Sequence, residues 1–143
     1  MKNLIIGSDH GGFELKERVK KHLLKKGYQV EDVGTFSKEA VDYPDIAKKL
    51  TKKVLEKDGV GIIFCGSGIG VSIACNRNPK IRCALVYDKK SASLSRKHND
   101  ANVIALAGRV LGFRRAKIIL NIFLNTEFEG ERHTKRVEKL SKM

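Results

Sequence analysis

The residues best placed to do chemistry lie in one short run, Cys65-Gly66-Ser67-Gly68-Ile69-Gly70. A thiol stands directly before three glycines that alternate with Ser67 and Ile69. Glycines let successive backbone N–H groups point into one concavity, and a following helix N-terminus adds positive potential. Such a nest can hold a phosphate or an oxyanion that forms during reaction. The pattern is G-x-G-x-G. It lacks the spacing of a dinucleotide loop and the G-K-[ST] of a P-loop. A cysteine-phosphatase loop needs arginine at the position that Val71 occupies. The plainer alternative is a tight strand-to-helix turn, but three glycines around a serine exceed what a turn requires. Cys65 is therefore a candidate reactive thiol. Cys75 and Cys83 have no polar company and read as packing residues.

Three further clusters could complete a site. Asp9-His10 follows an apolar run, and His98-Asn99-Asp100 precedes another. His10 and His98 are candidate general acids. His22, beside Lys20 and Lys21, reads as structural. Arg132, His133 and Arg136 sit near the C-terminus on an expected final helix. At a spacing of four, the two arginines share a face and could clamp a phosphate. Taken alone, that face could equally be a solvated basic one.

The elements that must position these groups alternate between strand and helix. Residues 3–8 read as a first strand, ended by Asp9-His10-Gly11-Gly12. Leu15, Val19 and Leu23 line one face of a helix that Gly27 stops. Residues 28–33 read as strand two. Pro44 suits the first turn of a helix carrying Ile46, Leu50 and Val54. Residues 61–65 are apolar on both faces, as a central parallel strand must be. Residues 82–87 and 102–107 read as strands four and five, with a helix near Lys89–Lys97 between them. Phe113–Leu124 is apolar nearly all round, which predicts burial on more than one side and a subunit interface. A last helix begins near Glu131. This alternation predicts an α/β fold: a Rossmann-like three-layer αβα sandwich with a five-stranded parallel sheet, in one domain over residues 1–143. Ligands of such sheets bind at the carboxyl ends of the strands, where Asp9-His10 and Cys65 fall.

Composition narrows the partners. The net charge is +13, but the lysines are scattered over helix after helix. A lysine-rich surface fits that pattern better than a nucleic-acid interface, and no RNA- or DNA-reading motif is present. Such a surface would still attract a phosphorylated metabolite. No apolar run reaches the length of a membrane span, so no membrane partner is expected, and residues 1–7 do not read as a secretion signal. Three cysteines without C-x-x-C spacing speak against a disulfide framework or thiolate zinc site, and fit a cytoplasmic location.

Taken together, the segments resemble the ribose-5-phosphate isomerase B family of sugar-phosphate isomerases. The matching stretches are 7–13 (GSDHGGF), 42–44 (DYP), 65–70 (CGSGIG), 95–102 (SRKHNDAN), 108–110 (GRV) and 130–133 (GERH), spread over essentially the whole chain. The resemblance implies interconversion of ribose 5-phosphate and ribulose 5-phosphate through an enediolate, with no metal and no cofactor. It implies Cys65 as the base between C2 and C1. The backbone of Gly66, Gly68, Ile69 and Gly70, with Ser67, would stabilise the enediolate. Asp9 and His98 would assist ring opening, with His98 as acid. His10, Arg132 and Arg136 would hold the phosphate, and Asn99 and Arg109 would complete the pocket. Ser67 stands where many members carry threonine, which keeps the hydroxyl. Members are dimers or tetramers with sites shared between subunits. The nearest alternative is an isomerase of a six-carbon phosphate, allose 6-phosphate or galactose 6-phosphate. The complete set of residues in one chain favours the ribose enzyme.

Overall fold

The computed structural model describes residues 2–143. Five parallel strands form one sheet in the order β2-β1-β3-β5-β4. They are β1 (Leu4–Ser8), β2 (Val30–Asp32), β3 (Val60–Cys65), β4 (Cys83–Leu85) and β5 (Val103–Ala107). Six α-helices connect and flank them: α1 (Phe13–Lys25), α2 (Tyr43–Lys57), α3 (Ile69–Cys75), α4 (Lys89–Lys97), α5 (Phe113–Leu124) and α6 (Thr134–Leu140). This is the expected α/β, Rossmann-like architecture.

Alternation along the strands sorts the core into two layers. Leu4 and Ile6 of β1, Ile62 and Phe64 of β3, and Ile104 and Leu106 of β5 pack with Leu15, Val19 and Leu23 of α1 and with the buried face of α5. Ile5, Ile63, Cys65, Val103 and Ala105 point the other way, onto Ile46, Leu50 and Val54 of α2 and Val71 of α3. Both faces of β1, β3 and β5 are thus dry, which explains their unbroken apolar sequences.

Several elements depart from the sequence reading. The second and fourth strands shrink to three residues each, 30–32 and 83–85, because both lie at sheet edges with one neighbour to pair with. The final helix is preceded by a 3₁₀ turn, Glu131–His133, so Arg132 lies in the turn and Arg136 in α6. The apolar residues of α5 are largely consumed by the chain's own core. Ala116, Ile119, Leu120 and Phe123 are buried, Ile122 and Leu124 pack against them, and Ile118 alone among its large apolar side chains is exposed. The chain's own core therefore accounts for most of the apolar composition of this helix. The exposed apolar side chains lie elsewhere, including Ile69 and Ile73 on α3, Val110 after β5, and Leu140 and Met143 at the C-terminal end.

One buried ion pair ties the fold to the residues that matter. Lys16 is fully buried, with Nζ 2.7 Å from Asp32 Oδ2 and 2.7 Å from the Thr35 carbonyl. Lys20 adds a second cation 2.9 Å from the same carboxylate. The segment they secure donates and accepts at Ser8: Ser8 N–H to the Gly34 carbonyl and Thr35 N–H to the Ser8 carbonyl, both 2.6 Å. Asp9 follows directly. Burial on its own would raise the Asp32 pKa, but hydrogen bonds from Lys16, Lys20 and the Gly34 amide outweigh it and hold the carboxyl below its ordinary range. A depressed folded pKa stabilises the protein above the unfolded carboxylate range, and that stability is lost as pH falls through the folded value. Asp32→Ala strands a buried ammonium and is expected to lower unfolding free energy by about 3–5 kcal/mol. Denaturant unfolding at neutral and acidic pH checks this, with the gap between variant and parent narrowing towards low pH.

Candidate active site

The carboxyl ends of β1, β3 and β5 are stitched together by backbone bonds. Asp9 N–H donates to the Phe64 carbonyl (3.1 Å), Gly108 N–H to Cys65 (2.8 Å) and Arg109 N–H to Gly66 (3.0 Å). The approach is close enough to require glycine. A Cβ on Gly12 would stand 2.4 Å from Phe64 Cβ, and one on Gly108 would stand 2.7 Å from Gly12 Cα. This edge lies at the reversal of strand order between β1 and β3, where open α/β sheets form their binding crevice.

Three polar groups converge there on the space beside Gly11. A Cβ at that position would stand 3.0 Å from the Gly66 nitrogen, 3.3 Å from Arg109 Cζ and 3.3 Å from Asp9 Oδ1. Asp9 is buried and accepts from the Gly12 amide at 3.1 Å, which fixes its carboxylate. His10 Nδ1 accepts from the Val41 amide at 3.2 Å, leaving Nε2–H as its donor.

Cys65 ends β3 with its side chain 95 % shielded, as its 5 % exposure shows, and the Gly68 amide donates to its sulfur at 3.1 Å. Gly68 reaches this position with φ +77°, a conformation glycine adopts without strain. The Ile69 amide donates to Ser67 Oγ at 3.2 Å. The loop amides are therefore not one undivided nest. Gly68 and Ile69 serve groups within the loop, while Gly66 faces the convergence beside Gly11. Two residues that sequence reasoning gave no role support the loop. The Tyr87 hydroxyl donates to the Ser67 carbonyl, and the Tyr43 ring fills the space over Gly70, 2.8 Å from a Cβ position there. The signal for Tyr87 was its place just beyond β4, at the same sheet edge.

The remaining candidates lie at the opposite edge. α4 runs back from the carboxyl end of β4, and His98 caps it at the amino end of β5. Arg82, which precedes β4, donates Nε–H to the Asp100 carbonyl at 2.8 Å and so holds the turn there. Five residues of β5 separate the two edges, ~16 Å of extended chain. His98 stacks on His133 with ring centroids 4.3 Å apart, and both imidazoles face Glu129. Burial pushes the His133 imidazole below its ordinary pKa, and the positive charges of Arg132 and Arg136 contribute in the same direction. Asn99 lines a neighbouring cavity with Leu140 and Met143. Asp9, His10, Cys65, residues 66–70 and Arg109 thus form one group, and His98, Asn99, Arg132 and Arg136 another. The chain carries both groups, but holds them at opposite edges of its sheet. Glu129 was missed, and His133 was named beside the two arginines without a role; the spacing of four between them was the available signal.

The other two cysteines are free thiols. Contact with Cys75 and burial push the Cys83 thiol well above its usual range, consistent with packing.

The family model described as "Ribose/Galactose Isomerase" matches residues 4–140. Ribose-5-phosphate isomerase B of Escherichia coli is 44% identical over 143 residues, covering 99% of this chain and 95% of the relative. The crystal structure of a ribose 5-phosphate isomerase from Thermotoga maritima superposes with a TM-score of 0.97 at 48% identity, covering 99% of both chains. The Mycoplasma genitalium ribose-5-phosphate isomerase B structure, which holds ribulose 5-phosphate, has a TM-score of 0.93 at 38% identity, covering 98% of this chain and 94% of that one. Matched along nearly its whole length in sequence and in fold, the chain belongs to the ribose/galactose isomerase family and is a sugar-phosphate isomerase.

Proposed function

We propose that the chain interconverts ribose 5-phosphate and ribulose 5-phosphate through an enediolate. The observation that carries this reading is the Cys65 sulfur, held by the Gly68 amide at 3.1 Å next to the crevice where the Gly66 amide, Asp9 and Arg109 converge. A base, an oxyanion donor and a fixed carboxylate at one point suit proton transfer between adjacent carbons. The names of the relatives support the five-carbon substrate.

In this mechanism His98 protonates the ring oxygen while Asp9 takes the proton of the C1 hydroxyl, opening the furanose. The Cys65 thiolate removes the proton on C2 of the open aldose. Charge moves onto the C1 oxygen, where the Gly66 amide and the Ser67 hydroxyl receive it, with the Gly70 amide beside them. Cys65 then returns its proton to C1, and the proton of the C2 hydroxyl passes to the C1 oxygen to leave the ketose. His10, Arg132 and Arg136 hold the phosphate, so that binding energy remote from the reacting carbons positions them. Asn99 and Arg109 line the pocket.

The two groups of residues meet only if two chains do. An isologous two-fold contact sets the amino edge of one subunit against the carboxyl edge of its partner and builds two equal sites. Exposed apolar side chains flank both edges, with Ile69 and Val110 at one and Leu140 and Met143 at the other. The assembly is accordingly a homodimer, or a tetramer of such dimers.

A panel of purified-protein assays tests the substrate. With chelator present, ribose 5-phosphate is expected to be isomerised, while allose 6-phosphate and galactose 6-phosphate are turned over far more slowly. Turnover of six-carbon phosphates alone would overturn the pentose assignment.

A further inference from the structure

We propose that Tyr87 is a positioning residue for the isomerisation and that it acts on Cys65 through a single peptide group. The inference rests on the reading of Cys65 as the base. The peptide between Ser67 and Gly68 is held at both ends. Its carbonyl accepts the Tyr87 hydroxyl, and its N–H donates to Cys65 Sγ at 3.1 Å. This peptide is trans, so its carbonyl and N–H point in opposite directions. The phenol and the thiol therefore lie on opposite sides of one group. Each hydrogen bond polarises the peptide in the sense that strengthens the other.

Without such a hold this peptide is free to turn over. Gly68 has φ +77° and ψ −11°, the values of the third residue of a type II turn. Rotating the peptide before that residue by half a turn gives the type I geometry, and glycine adopts either without strain. The rotation carries the Gly68 N–H away from the sulfur and brings the Ser67 carbonyl round towards it. A bulkier residue cannot fix the turn from within. A Cβ on Gly68 would stand 2.7 Å from Leu85 Cδ1 and 3.1 Å from the Leu106 carbonyl carbon. The orientation is instead fixed from outside, by the phenol.

Tyr87 reaches the loop from a backbone that is itself anchored. Val86 N–H before it donates to the Ala105 carbonyl of β5 at 3.2 Å. Arg115 of α5 donates from Nη2 to the Tyr87 carbonyl at 2.9 Å. Asp88 after it caps α4, accepting from the Ser91 amide at 2.7 Å. Phenylalanine in place of Tyr87 keeps the ring and loses only the donor.

Steady-state kinetics of the native assembly with ribose 5-phosphate test this, in a double-mutant cycle of Tyr87→Phe with Cys65→Ala. Tyr87→Phe is expected to lower kcat about tenfold, within what misplacing a reacting group costs, while KM stays within about twofold of the parent's. In the Cys65→Ala background, assayed at high enzyme concentration, the same substitution should change kcat by less than about twofold, because no thiol is left to position. Parental kcat in Tyr87→Phe, or a tenfold loss that persists without Cys65, would overturn the relay and leave the base in place. A loss carried by KM instead of kcat would also overturn it, since that puts the phenol against the substrate. Near-parental turnover by Cys65→Ala alone is a distinct result. It removes the base, and with it anything for Tyr87 to position.

Discussion

Cys65→Ala is expected to lower kcat for isomerisation by about a thousandfold, within the range attributed to a positioned base, while KM changes little. The reason is local. Cys65 is the titratable side chain that β3 delivers to the loop, and its sulfur already accepts the Gly68 amide. The phosphate ligands proposed above, His10, Arg132 and Arg136, do not touch it, so ground-state binding should survive the change. The substitution removes one small side chain on the α2–α3 side of the sheet, a modest loss of packing. Steady-state kinetics with ribose 5-phosphate, paired with a thermal unfolding curve, separates chemistry from stability. Near-parental turnover by a folded Cys65→Ala protein would remove Cys65 from the role of base.

Mixing two inactive variants is expected to restore activity. Cys65→Ala lacks the base at the carboxyl edge, and His98→Ala lacks the acid at the amino edge. If each site takes Cys65 from one subunit and His98 from its partner, a mixed dimer contains one intact site and one doubly defective one. Random exchange of subunits makes half of the dimers mixed, so about a quarter of parental activity should appear. Each variant alone would stay near background. The measurement is turnover before and after co-refolding equal amounts of the two, with a tagged copy to count mixed dimers. Mixed dimers that remain inactive would show that both side chains serve the same site from the same chain, against the separation of the two sheet edges by the length of β5. The effect is an all-or-none gain of function, which a merely structural role for either residue would not produce.

Much of the fold could be read from the order of residues because its determinants are local. Unbroken apolar runs in β1, β3 and β5 report burial on both faces, and the spacing of Leu15, Val19 and Leu23 reports a helix with one dry side. Edge strands were read too long, since Tyr28, Val33, Val86 and Tyr87 have strand-forming side chains but no second neighbour to pair with. The composition of α5 was ambiguous for a related reason. Periodicity reports that a surface is dry, but not whether the chain itself or another molecule covers it, and here the chain's own core does.

The reactive groups themselves were legible as types and spacings: a thiol before alternating glycines, an acid and a histidine closing the first strand, two arginines four apart near the C-terminus. From these alone an anion site with a reactive thiol was a candidate, and proton transfer on a sugar phosphate was what the family resemblance implied. Only the tertiary structure decided how they are distributed. A right-handed crossover must return each helix to the amino edge of the sheet, so a residue at the end of α4 cannot reach one at the end of β3 within the same chain. The structure also divided the glycine loop, committing Gly68 to the Cys65 sulfur and Ile69 to Ser67 while turning Gly66 to the crevice. Finally, it joined His98 to Glu129 and His133 across more than thirty residues of sequence. Such contacts depend on where three separate elements end in space, and no local pattern of residues carries that information.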